Sequence, residues 1–130
     1  YLDKDMGPEA KLYQKLRKKS SGIIWTRLEN LSSLGTPDLL GYNTNGNFFT
    51  VELKVTRGNK LKFSPHQIAF HKTHPNNTFI IAEARGPRSS KLIQMFPGSR
   101  ILELAASGLE LEASCLGLEA CCLELQQLGA

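Results

Sequence analysis

The sequence contains no apolar run of the roughly 20 residues that a helix needs to cross a bilayer. No signal-like apolar segment stands at its start, so the cytosol is the expected location. Gly-rich phosphate loops and nucleophile elbows are also missing. Any chemistry must therefore come from residues outside these familiar motifs.

Cysteine is scarce and confined to the C-terminal segment, at Cys115, Cys121 and Cys122. An odd number without CxxC spacing indicates neither a disulfide framework nor a zinc site. We expect reduced, packed thiols.

Basic residues are absent from positions 101–130, which carry five acids and a charge of −5. Residues 1–100 hold all sixteen Lys and Arg against seven Asp and Glu, a net charge of +9. A basic body suggests a polyanionic partner, most often nucleic acid. A merely solvated basic surface is the alternative on charge alone.

The length of 130 residues suits a single domain with a modest core. We predict that residues 1–108 form this domain and that 109–130 form an acidic tail rich in Leu and Cys. Residues 102–129 divide into four heptads, but their leucines lie two and five apart, not three and four as in a coiled coil. We expect the tail to pack on the domain, with a subunit contact as the alternative.

Local patterns predict a series of helices and strands. Pro8 suits the first position of a helix that runs to about Lys19, and Ser64 is the expected N-cap of a second helix that begins at Pro65. The remaining predicted elements are strands over 23–29, 38–42, 48–55, 78–84 and 91–96, and a short helix ending near 108.

The segment VELKV at 51–55 is the most informative part of the chain. Side chains alternate along a strand, so Glu52 and Lys54 share one face while Val51 and Leu53 share the other. Two charges on an otherwise apolar strand are costly unless they pair with each other, with a metal or with a substrate.

The turn before this strand decides whether Asp38 joins them. A three-residue loop over 44–46, with Gly46 left-handed, pairs Asn43 with Asn47 and sets Asp38 directly opposite Glu52. Like charges directly opposed destabilise a sheet, and a divalent cation between them is the simplest compensation.

Glu9 lies three, four and seven residues before Leu12, Tyr13 and Leu16, so we expect it on the buried face of the first helix. An acid in a first helical turn is also favoured by the helix dipole, which is the structural explanation for Glu9.

Two carboxylates and a lysine on one sheet face suit a hard divalent cation such as Mg²⁺. A metal-bound water is a better nucleophile, the metal neutralises phosphate charge, and Lys54 would contact the water or a phosphate oxygen. Phosphodiester hydrolysis fits these groups and the basic body. A solvated surface pair is the alternative for Glu52 and Lys54.

The segments GTPD, ending at Asp38, and ELK, over 52–54, resemble the signature of the PD-(D/E)xK nuclease superfamily. Over about residues 7–85 the chain looks like its compact phage-type and VRR-NUC branch. The resemblance implies an α/β fold with a mixed four- to five-stranded sheet flanked by helices, a restriction-endonuclease-like core. Its setting would be the cytoplasm of a bacterium or a phage-infected cell.

The resemblance also implies roles. Asp38, Glu52 and the Leu53 carbonyl would bind Mg²⁺, for which Mn²⁺ could substitute, and Lys54 would activate water. Glu9 would hold a second metal or its water, and Gln67 would support the site or the substrate phosphate.

DNA is the expected partner of the basic residues, and no membrane or small-molecule cofactor is expected. The predicted phosphate contacts are Lys15, Lys18, Lys19, Arg57, Lys60 and Lys62. A homodimer is expected because one small domain has one site and cuts one strand. The substrate could be branched DNA or a recognition site, and a non-catalytic binding module or an interaction subunit of a larger DNA-processing complex remain alternatives. His66, His71 and His74 lack metal-ligand spacing with one another. Helix-surface positions or DNA phosphate contacts are expected for them, and a position of His71 facing the site is the alternative.

Overall fold

The computed structural model describes residues 7–28, 34–86 and 92–130, which form one mixed sheet with helices on both faces. The helices are α1 (Pro8–Lys19), α2 (Pro65–Thr73), α3 (Ile101–Ser107) and α4 (Leu118–Gln126). The strands are β1 (Ile24–Arg27), β2 (Leu39–Tyr42), β3 (Phe48–Thr56), β4 (Thr78–Ala84), β5 (Ile93–Pro97) and β6 (Cys115–Leu116). Within these ranges no helix has the length and apolarity to span a membrane.

The strands lie side by side in chain order, from β1 to β6. Only β3 and β4 run parallel among the described strands, joined by the crossover that contains α2, and the other neighbours are antiparallel. The expected mixed α/β sheet flanked by helices is confirmed. The strand count exceeds the predicted four to five because the two-residue β6 pairs with β5, and so short a strand has no periodicity to detect.

Two apolar cores lie on opposite faces of the sheet, as the alternation along β3 predicts. Val51 and Leu53 point into the first core, which α1 and α4 cover. Ile80 and Ala82 of β4 point into the second core, which includes Ile101 of α3. Glu52 lies on the second face, directly opposite Ile80 in the β3–β4 register.

The predicted hairpin register is confirmed. Leu39 lies opposite Val51 and Tyr42 opposite Phe48, which continues to Asn43 opposite Asn47. The Asn43 N–H donates to the Asn47 carbonyl at 3.1 Å, and Gly46 has a φ of 78°. In this register Asp38, one residue before β2, faces Glu52.

Predicted boundaries agree closely where turn signals flank the element. The bounds of α1 and β4 match, whereas β1 begins one residue later than predicted and ends at Arg27. Glu29, at the predicted end of the first strand, lies outside the described residues, as does Lys91 at the predicted start of the last strand. The Arg27 guanidinium lies 5.3 Å from the centre of the Tyr13 ring.

The C-terminal segment packs on the sheet, the arrangement that the leucine spacing favoured. Cys121, Cys122 and Leu125 of α4 are buried in the first core, and all three cysteines are free. Asparagine side chains of the 43–47 loop donate to the last carbonyls of this segment, including those of Leu125 and Leu128. These bonds satisfy carbonyls that a helix end leaves without partners.

Candidate active site

Asp38 stands where the β2 ladder ends. Its Oδ2 accepts the Leu53 N–H at 2.8 Å, so the carboxylate replaces the strand neighbour that Leu53 lacks at this point. The N–H and C=O of one strand residue point to the same edge, so the Leu53 carbonyl faces the same space as Asp38. The predicted grouping of Asp38 with the Leu53 carbonyl is therefore compatible with the backbone geometry.

Glu52 is a buried carboxyl with one unsatisfied oxygen. Its residue is 3% exposed, and Oε1 has no hydrogen-bond partner among the described residues. Burial, followed by the negative charge of Asp38, raises the pKa of Glu52 to about 9. At neutral pH the pair of carboxyls therefore needs a proton or a cation between them.

Gln67 links Glu52 to Lys54 through the two ends of one amide. Its Nε2 donates to Glu52 Oε2 at 3.2 Å, and its Oε1 accepts from Lys54 Nζ, also at 3.2 Å. The Lys54 ammonium lies 4.9 Å from the centre of the Phe63 ring, which adds a cation–π contact. The side chain that the resemblance assigned to a supporting role thus touches two of the proposed catalytic groups.

Glu9 faces the site without being buried, which corrects the expectation of an inward position. It lines one groove with Asp38 and Leu53 and a second with Lys54 and Lys60, each of about 300 Å³. Glu9 lies in the first turn of α1 and is exposed, whereas Leu12 and Tyr13 in the next turn are buried. Its charge still contributes to the raised pKa of Glu52.

Gly35, the first residue of the GTPD segment, has a structural role at the site that the motif did not predict. It has a φ of 80°, and a Cβ there would collide with the backbone of His66 and with the Gln67 nitrogen. Gly35 therefore lets the loop that carries Asp38 lie directly against the first turn of α2. The positive φ could not be read from the sequence, although a Gly three residues before the motif Asp is a signal for it.

The predicted phosphate contacts fall into two groups. Lys60 and Lys62 line the groove with Lys54, and Arg57 is exposed in the same loop. Lys18 and Lys19 are exposed in the last turn of α1, about 14 Å along the helix from Glu9 at its usual rise. Lys15 is different, because its Nζ pairs at 2.6 Å with Glu83, whose side chain is fully buried.

His71 is fully buried, contrary to the expectation of a helix-surface histidine. Its Nδ1 lies 2.9 Å from the Gln67 carbonyl, Nε2 has no partner among the described residues, and burial lowers its pKa. The position is closed by Gly98, where a Cβ would collide with the ring. This long-range contact explains why the helix pattern alone misplaced the residue, while His66 and His74 are exposed as expected.

The donors at the site suit a hard divalent cation that keeps water ligands. No group of three His, Cys, Asp or Glu side chains comes together in the part of the chain that the structure describes. Asp38, Glu52 and the Leu53 carbonyl offer oxygen donors, and the unpartnered Glu52 Oε1 is a buried acceptor that a cation would satisfy. Mg²⁺ is typically held by one or two carboxylates and several waters, so Asp38 and Glu52 are suitable ligands for this cation.

Comparisons with known proteins concern the fold. No protein-family model matches the chain, and no curated protein does. Among solved structures, the chain is similar to Hjc of Archaeoglobus fulgidus, a Holliday junction resolvase from an archaeal hyperthermophile. The likeness has a TM-score of 0.47 and 19% identity, and covers 68% of this chain and 72% of that chain.

Proposed function

We propose that this chain is a divalent-cation-dependent endonuclease that hydrolyses DNA phosphodiester bonds, with Mg²⁺ as its cation and Mn²⁺ able to substitute. One observation carries the proposal. Asp38 and Glu52 face each other at the end of the β2–β3 ladder, and Lys54 lies on the same strand face as Glu52. Glu52 Oε1 is buried there without a hydrogen-bond partner among the described residues.

A comparison with Glu83 supports a functional reading of Glu52. Glu83 is a fully buried carboxylate that two cations satisfy, Lys15 at 2.6 Å and Arg85 at 2.7 Å. Glu52 is buried to nearly the same extent, yet the donor that reaches it is a neutral amide and a second carboxylate lies beside it. Among the described residues, the buried carboxylate of Glu83 is thus paired with cations, whereas Glu52 keeps one oxygen without a hydrogen-bond partner where chemistry is proposed.

Each side chain has a role in hydrolysis. Asp38 and Glu52 would hold the cation with the Leu53 carbonyl, and Glu9 would hold a second cation or its water from the groove rim. When bound, such a cation makes its water more acidic and offsets phosphate charge. Lys54, held by Gln67, keeps a positive charge beside the phosphate as negative charge builds in the transition state. The water oxygen bonds to phosphorus and gives up one proton to solvent, the bond between phosphorus and the leaving oxygen breaks, and that oxygen takes up one proton from solvent.

The groove beyond Lys54 is the proposed path of the DNA backbone. Lys54, Lys60 and Lys62 line it together with Thr56, and Glu9 forms its other rim. Lysines in a row beside a cleavage site bind phosphates without reading bases, so binding should weaken steeply with salt. Lys15 is the weakest of the six predicted contacts, because it already pairs with Glu83.

We infer a homodimer for any substrate that is cut on both strands, since the described residues of one chain form one such site. The exposed side chains of Ile24, Tyr42 and Phe48 lie opposite one another across β1, β2 and β3. They are the apolar surface on which a second copy would pack. Sedimentation of the wild type beside Phe48→Ser tests this, and a wild type that stays monomeric at high concentration would contradict it.

A substrate panel tests the proposed function. Linear duplex, single-stranded DNA, a four-way junction and RNA of matched sequence would each be incubated with Mg²⁺, Mn²⁺ or EDTA. Cation-dependent cutting of DNA supports the proposal, and a preference for the junction would identify a branched substrate. Binding of DNA without cutting under any cation would favour the alternative of a non-catalytic binding module.

A further inference from the structure

Ser64 and Gln67 form a reciprocal capping box at the start of α2. Ser64 Oγ accepts the Gln67 N–H at 3.1 Å, and the Ser64 N–H donates to Gln67 Oε1 at 2.9 Å. Such a box is a common way to satisfy donors at a helix start. Here its Gln side chain also reaches Glu52 and Lys54, which an ordinary cap does not do.

The donors around Gln67 determine which way its amide points. Ser64 N–H and the Lys54 ammonium can only donate, so both require the carbonyl oxygen of Gln67. The NH₂ group must then face Glu52, where it donates to Oε2. A flipped amide would oppose donor to donor at one end and acceptor to acceptor at the other.

This orientation distinguishes the two oxygens of Glu52. Oε2 accepts from the Gln67 amide, and Oε1 has no partner among the described residues. Asp38 likewise has one oxygen in a hydrogen bond, because its Oδ2 accepts the Leu53 N–H. One oxygen of each carboxylate is thus held by a protein donor.

We propose that Ser64 is a positioning residue of the active site, whose backbone N–H orients the Gln67 amide. The amide in turn directs Glu52 Oε1 toward the cation and holds the Lys54 ammonium at the site. This inference rests on the proposed function. Gly35 makes the arrangement possible, because its missing side chain lets α2 approach the Asp38 loop.

Two variants at position 64 separate the N–H from the hydroxyl. Ser64→Ala removes Oγ and keeps the N–H, whereas Ser64→Pro removes both. The backbone of Ser64, with φ −72° and ψ 158°, suits proline and already precedes Pro65. The two variants therefore differ in the N–H of residue 64 and in the restraint that proline places on the backbone of Phe63.

The experiment measures Mn²⁺ affinity by calorimetry on folded protein, beside kcat and KM for DNA. We expect Ser64→Pro to bind Mn²⁺ about tenfold or more weakly than Ser64→Ala, with a matching fall in kcat, because groups behind metal ligands contribute on this scale. KM should change less than kcat, since Lys60 and Lys62 of the DNA groove keep their positions. Equal Mn²⁺ affinity in the two variants overturns the inference.

A second variant covers the case in which Ser64→Pro fails to fold. Gln67→Met has a side chain of similar length but lacks the amide that bonds to Ser64, Lys54 and Glu52. We expect faster hydrogen exchange at the Ser64 amide and Mn²⁺ affinity reduced about tenfold or more. Wild-type Mn²⁺ affinity in Gln67→Met overturns the inference while leaving the proposed function intact. A wild type that binds no Mn²⁺ and cuts no DNA overturns both.

Discussion

The carboxylate of Asp38 accepts the backbone N–H of Leu53 at 2.8 Å, in the place where a residue of β2 would otherwise pair. Asp38 thus ends a ladder and faces Glu52 at the same time. The two roles can be separated by substitution, because one needs only an acceptor and the other needs a charge.

Asp38→Asn should keep the fold and lose cleavage. Its amide oxygen can still accept the Leu53 N–H, and loss of the Asp38 charge removes one cause of the raised pKa of Glu52, so stability should rise or hold. Asp38→Ala should lose about 1–3 kcal/mol, because the Leu53 N–H is left without an acceptor. Urea denaturation of both variants checks this, and equal stabilities would contradict the assigned hydrogen bond.

Glu52 should make the cation-free protein less stable as pH rises. The pKa of its carboxyl is about 9 in the folded chain against an ordinary 4.5. Between these values the unfolded chain has released a proton that the folded chain keeps, so stability falls by at most about 1.4 kcal/mol per pH unit. The stabilisation that Glu52 contributes is fully present below its ordinary pKa of 4.5. It is lost as the pH rises through the folded-state pKa of about 9.

Glu52→Gln is the matched control for that titration. Its side chain cannot ionise and can still accept from Gln67, so its unfolding free energy should vary less across the same pH range. Thermal unfolding at a series of pH values in EDTA measures both proteins. Parallel curves for wild type and variant would show that Glu52 is not the titrating group.

Substitutions of Lys54 and Lys15 should have opposite effects, the first on kcat and the second on stability. Lys54→Met should lower kcat about a hundredfold or more while the fold persists, since a transition-state charge partner is lost. Lys15→Met should cost about 1–3 kcal/mol of stability, because buried Glu83 loses one of its two cations, and should leave kcat largely intact. Kinetics and denaturation on both variants would contradict the assignment if the effects were exchanged.

The groove lysines should set the salt dependence of DNA binding. Lys60→Gln and Lys62→Gln should each reduce the slope of log affinity against log salt by about 0.9, the value for one phosphate contact. Lys72→Gln is the control, because Lys72 is exposed on α2 and lies outside the lysine groove. Fluorescence anisotropy in EDTA measures binding without cleavage, and equal slopes for all three variants would remove the proposed DNA path.

Asn43 should stabilise the C-terminal helix without affecting chemistry. Its amide donates to the carbonyls of Leu125 and Leu128, and its Oδ1 accepts two backbone N–H groups of its own loop. Asn43→Ala should cost about 1–3 kcal/mol, as for other buried partners left unsatisfied. Asn45→Ala, at an exposed position, should cost less, and urea denaturation compares the two.

Local physics explains what the sequence could predict. The two-residue period of β3 assigned Glu52 and Leu53 to opposite faces, and turn chemistry at Gly46 determined the register that sets Asp38 opposite Glu52. Ser64 and Pro65 marked the start of α2 for equally local reasons. Each of these features depends on residues within about fifteen positions of one another.

The features that were missed depend on contacts between distant segments. His71 is buried because Gly98 packs against its ring. Lys15 forms an ion pair with Glu83 on β4, which lies 68 residues away in the sequence. The asparagine loop was recognised as a turn, but its bonds to Leu125 and Leu128 join positions more than 80 apart. Helix or strand periodicity contains no information on such pairs.

Cleavage of supercoiled plasmid tests the central claim most directly, with wild type, Glu52→Gln and Lys54→Met compared in Mg²⁺, Mn²⁺ and EDTA. The account predicts nicking by the wild type that needs the cation and is lost in both variants, while all three proteins bind DNA in EDTA. Cleavage that persists in EDTA, or that survives in Glu52→Gln at the wild-type rate, would contradict it.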